Sequence, residues 1–482
     1  MNATKQPNQP NKSNKSNQRD SQPIAKDSNK KFVIIAASIA AFLVAFSASS
    51  ITVALPPLAI EFSIDAILQN WVATSFLLSI AVFSVPFGKL SGKFGLKKTF
   101  ILGILIFAIA SIGAVFSFSA YSLIFFRVVQ GLGSAILNVT SLAMITESLP
   151  PKERGKGIGI NISSVYVGLT LAPVIGGILT YNFGWQSIFL ISIPFLIITT
   201  VITIWKIPEE WTTGIGEKFD YLGTIIYTIA ILLLIYGFTI MHQLNGVIIL
   251  IIAIILFAIF AWWELRNKFP VFNVKLFKNP KFTSSSLASL ISYLATFVVT
   301  YIINYHLQYI KGFDPQIAGL ILIVTPAVMA IISPFAGRLS DKIDPQILAA
   351  IGMGFVSVAL FILVFLDGNT PISVILIAMF LQGIGYGLFS SPNINAIMGS
   401  VPRKLSSVAS AAVSTMRVIG QTLSLGMLTV IFAVVMGSVQ ILPQYFPQLI
   451  ESSQIACIIS TILCIIAIMA SLVGIKSNVK VN

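Results

Sequence analysis

Residues 88–98 read Gly88-Lys89-Leu90-Ser91-Gly92-Lys93-Phe94-Gly95-Leu96-Lys97-Lys98 and join two long apolar runs, at about 71–91 and 99–117. Each run is close to the ~20 residues that a helix needs to cross a bilayer. The joining segment combines glycines with four lysines, which suits a short loop at a membrane surface. The stretch therefore predicts two membrane helices that run in opposite directions and meet at a basic loop.

The same arrangement continues along the chain, which has fourteen such runs after a polar N-terminal stretch. Of the 482 residues, 56% are hydrophobic and 10% are charged, whereas soluble proteins carry about 25% charged residues. None of the runs shows the alternating pattern of a transmembrane barrel. The predicted fold is an all-α membrane protein with 14 transmembrane helices. The runs lie at about 32–55, 71–91, 99–117, 121–146, 157–181, 185–205, 221–241, 246–263, 284–309, 316–337, 346–366, 371–398, 406–436 and 453–474.

The basic residues indicate how the helices are oriented. With the N-terminus inside and the helices alternating in direction, 27 of the 30 Lys and Arg residues fall in inside segments. Lys311 falls outside, and Arg127 and Arg417 fall within helices. Lys and Arg accumulate in cytoplasmic loops of membrane proteins, so both termini are predicted to be cytoplasmic, in a cell membrane. The net charge of +14 then reflects topology and not a nucleic-acid-binding surface.

The chain also repeats itself. Gln130-Gly131-Leu132-Gly133 matches Gln382-Gly383-Ile384-Gly385 at an offset of 252, and the same offset pairs Gly168-Leu169-Thr170-Leu171 with Gly420-Gln421-Thr422-Leu423. Two extra runs, at about 221–263, separate the copies. An inserted pair of helices leaves the second copy oriented like the first. The pattern predicts two parallel six-helix bundles plus two inserted helices, with a binding site between the bundles.

The repeat divides the chain into five parts. The first is too polar to bury enough surface to fold and is predicted to be disordered. The parts are a cytoplasmic tail at 1–31, an N-terminal six-helix bundle at 32–206, a linker with two extra transmembrane helices at 207–281, a C-terminal six-helix bundle at 282–475 and a cytoplasmic tail at 476–482.

These motifs resemble the fourteen-helix drug:proton antiporter branch of the major facilitator superfamily. The segment 88–98 fits the family's signature loop, and Arg127-Val128-Val129-Gln130-Gly131-Leu132-Gly133 fits its helix-4 motif, Arg-x-x-Gln-Gly-x-Gly. The resemblance covers nearly everything after the tail. It implies a secondary active transporter, with proton-coupled efflux of small amphiphilic compounds or drugs by alternating access. A proton-coupled importer or a metabolite exporter of the same fold is the alternative.

The resemblance also assigns residues. For the signature loop and its second copy they are Gly88, Lys89, Lys93, Gly95, Lys97, Gly337, Arg338 and Asp341. For the antiporter-type motif of helix 5 they are Gly168, Pro173, Gly176 and Gly177. Gly92 stands where the family carries an Asp. The second copy keeps this acid as Asp341, which we expect to dock as a latch near Arg154 and Lys156, at the start of helix 5.

Charged residues within a membrane are expensive and therefore candidates for function. The resemblance, together with the buried charges, implies that proton coupling or gating involves Arg127, Gln130, Gly131, Gly133, Glu147 and Arg417. For Arg127, snorkelling to the outer face is the alternative. The usual acid in helix 1 is absent, so the buried charges are positive. They predict neutral or anionic amphiphiles as substrates rather than dicationic drugs, unless cations bind aromatic faces such as those of Tyr301 and Tyr305.

Other polar residues in the helices are candidates for lining a cavity. Each of them could instead form a hydrogen bond between helices. They are Ser47, Asn138, Tyr301, Asn304, Tyr305, Asn393 and Gln421.

Other classes of function lack their motifs. The sequence has no His-Glu-x-x-His and no paired membrane carboxylates for an intramembrane enzyme. It also has no Gly-x-x-x-x-Gly-Lys-Ser/Thr loop of a primary pump. We predict no enzymatic activity, no metal and no cofactor. The expected partners are a small-molecule substrate, protons and the lipid bilayer, with no nucleic acid, and the protein is expected to be a monomer.

Overall fold

The computed structural model describes residues 27–212, 219–340, 342–402 and 406–476. Fourteen helices in these ranges are long and apolar enough to cross a membrane, and the ranges contain no strand. This confirms the predicted all-α membrane fold. The helices are α1 (Asp27–Glu61), α2 (Ala66–Phe94), α3 (Leu96–Val115), α4 (Ala120–Ser148), α5 (Pro151–Phe183), α6 (Ser187–Lys206), α7 (Tyr221–Thr239), α8 (Leu244–Arg266), α9 (Pro280–Ile310), α10 (Pro315–Leu339), α11 (Pro345–Leu363), α12 (Ile372–Gly399), α13 (Ser406–Val435) and α14 (Phe446–Lys476).

Five of the fourteen helices, α1, α2, α5, α9 and α14, extend a turn or more beyond the apolar runs that predicted them. Helix N-termini are often capped by short polar side chains, which accept hydrogen bonds from backbone N–H groups that have no partner within the helix. The Asp65 carboxylate accepts from Leu68 N at 2.7 Å, which starts α2 at residue 66, and Asp314 accepts from Ile317 N at 2.8 Å. α1 begins at Asp27, inside the segment predicted as a tail. The predicted latch residue Asp341 lies outside the described residues.

The two halves have the same internal packing. In the first, α1 packs on α5, and both α2 and α3 pack on α4. In the second, α9 packs on α13, and both α10 and α11 pack on α12. These are the pairs that a parallel repeat requires, so the predicted parallel arrangement of two six-helix bundles is confirmed.

Repeated glycines make equivalent close contacts in the two halves. A Cβ atom on Gly133 would lie 3.0 Å from Gly103 O, where α4 crosses α3. A Cβ atom on Gly385 would lie 2.5 Å from Gly352 O, where α12 crosses α11. Real Cβ atoms very rarely approach a backbone oxygen this closely. Only glycine therefore lets these helices cross with backbone against backbone.

The inserted helices pack outside the two bundles. α7 lies across the seam between α2 and α13, and the Tyr227 hydroxyl donates to Ala81 O at 3.0 Å. On the other side of the seam, a Cβ atom on Gly426 would lie 3.0 Å from the ring of Phe238. α8 packs against α7 and exposes most of its apolar surface. The pair therefore covers a seam instead of forming part of the central interface.

We expect Gly133→Ala to lower the stability of the protein by about 1–3 kcal/mol, since the added methyl group forces α3 and α4 apart. Gly354→Ala in α11 is the matched control, because its Cβ atom meets nothing within 4 Å. This control should be neutral or slightly stabilising, as Ala is the better helix former. Thermal unfolding of each purified variant in detergent measures its stability relative to the wild type. Equal melting temperatures for the two variants would contradict the packing argument.

Candidate functional site

The two halves are joined at one end of the helices. We call the end that carries residues 27 and 476 the basic end, and the end that carries the loops at 62–65 and 311–314 the opposite end. At the opposite end, Asn304 of α9 donates its side-chain N–H to Thr52 O of α1 at 2.7 Å. Gln308, one turn further on, donates to Val53 O at 2.9 Å. Both bonds cross from the second half to the first.

Two tyrosines of α9 extend this contact to α2. The buried Tyr305 hydroxyl donates to Asn70 Oδ1 at 2.7 Å, and the Tyr309 hydroxyl donates to Gln69 Oε1 at 3.3 Å. With Asn304 and Gln308, these residues form what we call the seal. Its bonds are all between neutral groups. Asn304 and Tyr305, predicted as candidates for cavity lining, here make hydrogen bonds between helices.

The helix-5 motif forms a second closure at the same end, where α5 crosses α10. A Cβ atom on Gly177 would lie 2.3 Å from Pro315 O, and one on Gly319 would lie 2.2 Å from Pro173 O. The two helices therefore touch through their backbones. Gly176 faces the other way, where a Cβ atom would lie 3.0 Å from Ser50 O of α1. The motif thus brings together α1, α5 and α10.

A small cavity of about 40 Å³ lies between the halves at the middle of the helices. Its walls are aliphatic residues of α1, α2, α5 and α13, with three polar side chains among them: Asn138, Arg417 and Gln421. Arg417 is the one charged residue in the lining, and no carboxylate faces the cavity within the described part of the chain. Its hydrogen bond to Ser414 Oγ is long, at 3.4 Å. A substrate would need the cavity to widen, and it would then meet an incompletely paired positive charge.

Two hydrogen bonds between the halves lie near the cavity. Asn138 Nδ2 donates to Ser414 Oγ at 3.2 Å, which joins α4 to α13. The hydroxyls of Tyr166 and Ser390 are 2.6 Å apart, which joins α5 to α12. Of the other predicted lining residues, Asn393 donates to Ser285 O within the second half. The structure therefore places Asn138 and Gln421 at the cavity and Asn393 away from it.

Arg127 is buried, at 1% exposure, and does not snorkel to a surface. Its Nε donates to Val72 O at 3.2 Å, and its Nη1 donates to Ser47 O at 3.3 Å and to Gln130 Oε1 at 2.7 Å. The guanidinium carbon lies 4.0 Å from the centre of the Phe76 ring. The three groups that accept these hydrogen bonds are neutral, and the side chain joins α4 to α1 and α2. Tyr301 of α9 is buried too, and its hydroxyl has no hydrogen-bond partner among the described residues.

The signature loop has a partner that the sequence did not reveal. Gly95 has φ +105°, and a carboxylate from the segment after α6 reaches the start of α3 beside it. Glu210 Oε1 accepts from Lys97 N at 2.8 Å, and its Oε2 accepts from Lys98 N at 3.2 Å. An acid suits a helix N-terminus. Glu210 therefore fixes the loop to the segment that leads into the inserted helices.

The remaining predicted residues lie toward the basic end. Gly88 packs on α4, where its Cβ atom would lie 3.5 Å from Val139, and Glu147 is half-buried in the last turn of α4. Gly337 faces Ser391 of α12, and Lys93 and Arg338 are exposed. Glu147 is therefore not brought to Arg127, which lies toward the opposite end of the same helix.

Comparison with known proteins agrees with this architecture. The family model of the Major Facilitator Superfamily matches residues 37–425. The chain belongs to the major facilitator superfamily. This facilitator is similar to a solved structure of a bacterial homologue of the human lysosomal transporter Spinster in an inward-facing, unoccupied conformation, with a TM-score of 0.68 and 17% identity over 94% of this chain and 99% of that one.

Two curated relatives show which kinds of facilitator are similar. The riboflavin transporter RibZ of Clostridioides difficile is 30% identical over 80% of this chain and 85% of the relative. The multidrug resistance protein Stp of Mycobacterium tuberculosis is 27% identical over 83% of this chain and 75% of the relative. The predicted resemblance to the superfamily is thereby confirmed.

We expect Tyr305→Phe to weaken the seal. The change leaves buried Asn70 Oδ1 without its donor, which costs about 1–3 kcal/mol, or roughly a 5- to 150-fold shift toward separation of the halves at the opposite end. Spin labels on cysteines at Phe118 and Gly368, in opposite-end loops of the two halves, would report a larger population at long distances. Tyr121→Phe, in an exposed residue of α4, is the control. An unchanged distance distribution in Tyr305→Phe would refute the role of this bond.

Proposed function

We propose that this facilitator is a secondary active transporter that exports small amphiphilic compounds by alternating access, driven by protons. The observation that carries the proposal is a central cavity between two parallel halves that are closed at the opposite end. Lys and Arg concentrate at the basic end, which the positive-inside rule places in the cytoplasm. We therefore propose that the closed end faces outward and that this arrangement is an inward-facing state in a cell membrane.

The distribution of bonds between the halves supports alternating access. In the described ranges, the hydrogen bonds that join the halves lie at the opposite end or beside the cavity, as with Asn304 to Thr52 and Asn138 to Ser414. Breaking the seal while closing the basic end would expose the cavity to the other side. One chain contains the whole pathway, so we propose that it works as a monomer.

The charge of the cavity supports a substrate class. Arg417 is the charged residue of its lining, and the lining has no carboxylate to balance a cation. A positive charge in a medium of low dielectric attracts an anion and repels a cation. We therefore propose neutral or anionic amphiphiles as substrates, in preference to dications. The similarity to a protein named for multidrug resistance supports small, chemically varied compounds.

The proposed proton coupling involves two residues of α4. An arginine does not lose its proton under biological conditions, so Arg127 would act by its charge and by its bonds to α1 and α2. Opening the seal moves α1 and α2 relative to α9 and so changes the surroundings of Arg127. The carboxyl group available on the same helix is Glu147, half-buried near the basic end. We propose that Glu147 exchanges the proton and that the electrostatic surroundings of Arg127 change when the seal opens.

A second candidate is uptake of a metabolite by the same mechanism. The observation that favours it is the 30% identity to a protein named a riboflavin transporter. The fold itself is compatible with transport in either direction. To distinguish export from uptake, net transport has to be measured in a known pH gradient.

Inverted membrane vesicles with an acidic lumen should accumulate an anionic fluorescent dye if the protein exports in exchange for protons. The same vesicles should lose this accumulation when nigericin collapses the pH gradient. Vesicles from cells with an empty vector give the background. Accumulation in right-side-out vesicles with an acidic exterior, and none in the inverted ones, would show import instead.

We expect Arg417→Gln to reduce the preference for an anionic dye over a matched dication by roughly tenfold, the factor that corresponds to about 1.4 kcal/mol. Counterflow in proteoliposomes measures both dyes without any gradient. Lys311→Gln is the control, since Lys311 is exposed at the opposite end and donates to Gly368 O there. Faster exchange of the dication by the wild type would contradict the proposed substrate class.

A further inference from the structure

Two carboxylates are buried together where α7 and α8 meet at the basic end. Asp220 and Glu264 are 7% and 2% exposed. A Cβ atom on Gly223 would lie 2.3 Å from Asp220 Oδ2 and 2.5 Å from Glu264 Oε1, so the two oxygens face the same small space. The acids are far apart in the sequence, which is why no motif revealed the pair.

The groups bonded to these acids are neutral. Asp220 accepts from Gly223 N at 2.9 Å, from Trp263 Nε1 at 2.9 Å and from Asn267 Nδ2 at 2.6 Å. Glu264 Oε2 accepts from Phe272 N at 3.3 Å, and its Oε1 has no hydrogen-bond partner among the described residues. Two buried carboxylates side by side repel each other. No cation among the described residues pairs with either of them.

A cavity of about 460 Å³ opens on the Asp220 side of the pair. Its walls include the aromatic rings of Phe219, Trp263 and Phe269 and the two basic side chains Arg266 and Lys268. Neither basic side chain forms an ion pair with Asp220 or Glu264 in the part of the chain that the structure describes. The cavity thus has a negative floor, aromatic walls and a positive rim, which fits a small zwitterion.

The position of the cavity indicates where such a zwitterion comes from. Arg266 is the last residue of the α8 span, so the cavity lies at the level of the membrane interface. From there α8 exposes large aliphatic side chains along its length, such as Ile251, Ile255 and Ile259. Acyl chains that follow this surface would place a lipid headgroup at the cavity.

We propose that this cavity binds the headgroup of phosphatidylethanolamine. The ammonium group would donate to the carboxylate of Asp220, over the aromatic rings, and the phosphodiester would lie between Arg266 and Lys268. Phosphatidylethanolamine fits better than phosphatidylcholine because no cation donates to Asp220. A primary ammonium can donate an N–H there, whereas a quaternary ammonium has none. Phosphatidylethanolamine also fits better than an anionic lipid, because the two acids repel a headgroup that carries no cation.

The test is lipid retention measured by native mass spectrometry, after purification from vesicles with equal amounts of phosphatidylethanolamine, phosphatidylcholine and phosphatidylglycerol. We expect the wild type to retain phosphatidylethanolamine severalfold over each of the others. Asp220→Asn should lose this preference while keeping the helix cap, since Asn caps as well as Asp does. Arg266→Gln with Lys268→Gln should lower phosphatidylethanolamine retention by a similar factor.

Asp314→Asn is the matched control, because Asp314 caps α10 at the opposite end. It should retain the wild-type preference. Equal retention of phosphatidylethanolamine and phosphatidylcholine by the wild type would overturn the proposal even if Asp220→Asn failed to fold. Preference for phosphatidylglycerol would show that the cavity is only a basic patch. Displacement of the lipid by soluble glycerophosphoethanolamine at equal concentration would assign the site to a free metabolite and not to the bilayer.

Discussion

Close contact between helix backbones is the constraint on which this structure depends. Inside a bilayer no water drives apolar helices together, so association relies on van der Waals packing and on hydrogen bonds between helices. Gly133 and Gly385 allow close backbone contact within the halves, and Gly177 and Gly319 allow it between the halves. The glycine contacts inside one half have equivalents inside the other. The contact between the halves has to form and separate in each transport cycle.

The hydrogen bonds of the seal suit that reversible role. Each joins two neutral groups, and a neutral hydrogen bond contributes a net ~0.5–1.5 kcal/mol. Several such bonds hold the opposite end closed without the deep energy minimum that a buried ion pair can create. Arg127 contributes in a different way, because its charge is held by backbone carbonyls of α1 and α2 and by Gln130. These two helices and α4 belong to the same half, so the bonds hold the charge within the first bundle.

The sequence was sufficient for the spans, the parallel repeat and the inserted pair, because each is recorded locally as an apolar run or as a motif at a constant offset. The hydrogen-bond partners of the polar side chains could not be predicted in this way. Asn304 and Tyr305 were recognisable as polar residues of α9, but their bonds to Thr52 and Asn70 depend on how the halves meet in one state. Glu210 lies in a segment without a motif, and its role appears only when α6 returns to the start of α3.

The position of α7 makes the protein asymmetric toward the bilayer. Two halves that separate at the basic end open two lateral slots, one between α2 and α13 and one between α5 and α10. α7 lies across the first slot in this structure and screens it from acyl chains. The second slot has no such screen in the described ranges. The flank between α5 and α10 is therefore the one that a hydrophobic compound in the bilayer can approach without passing α7.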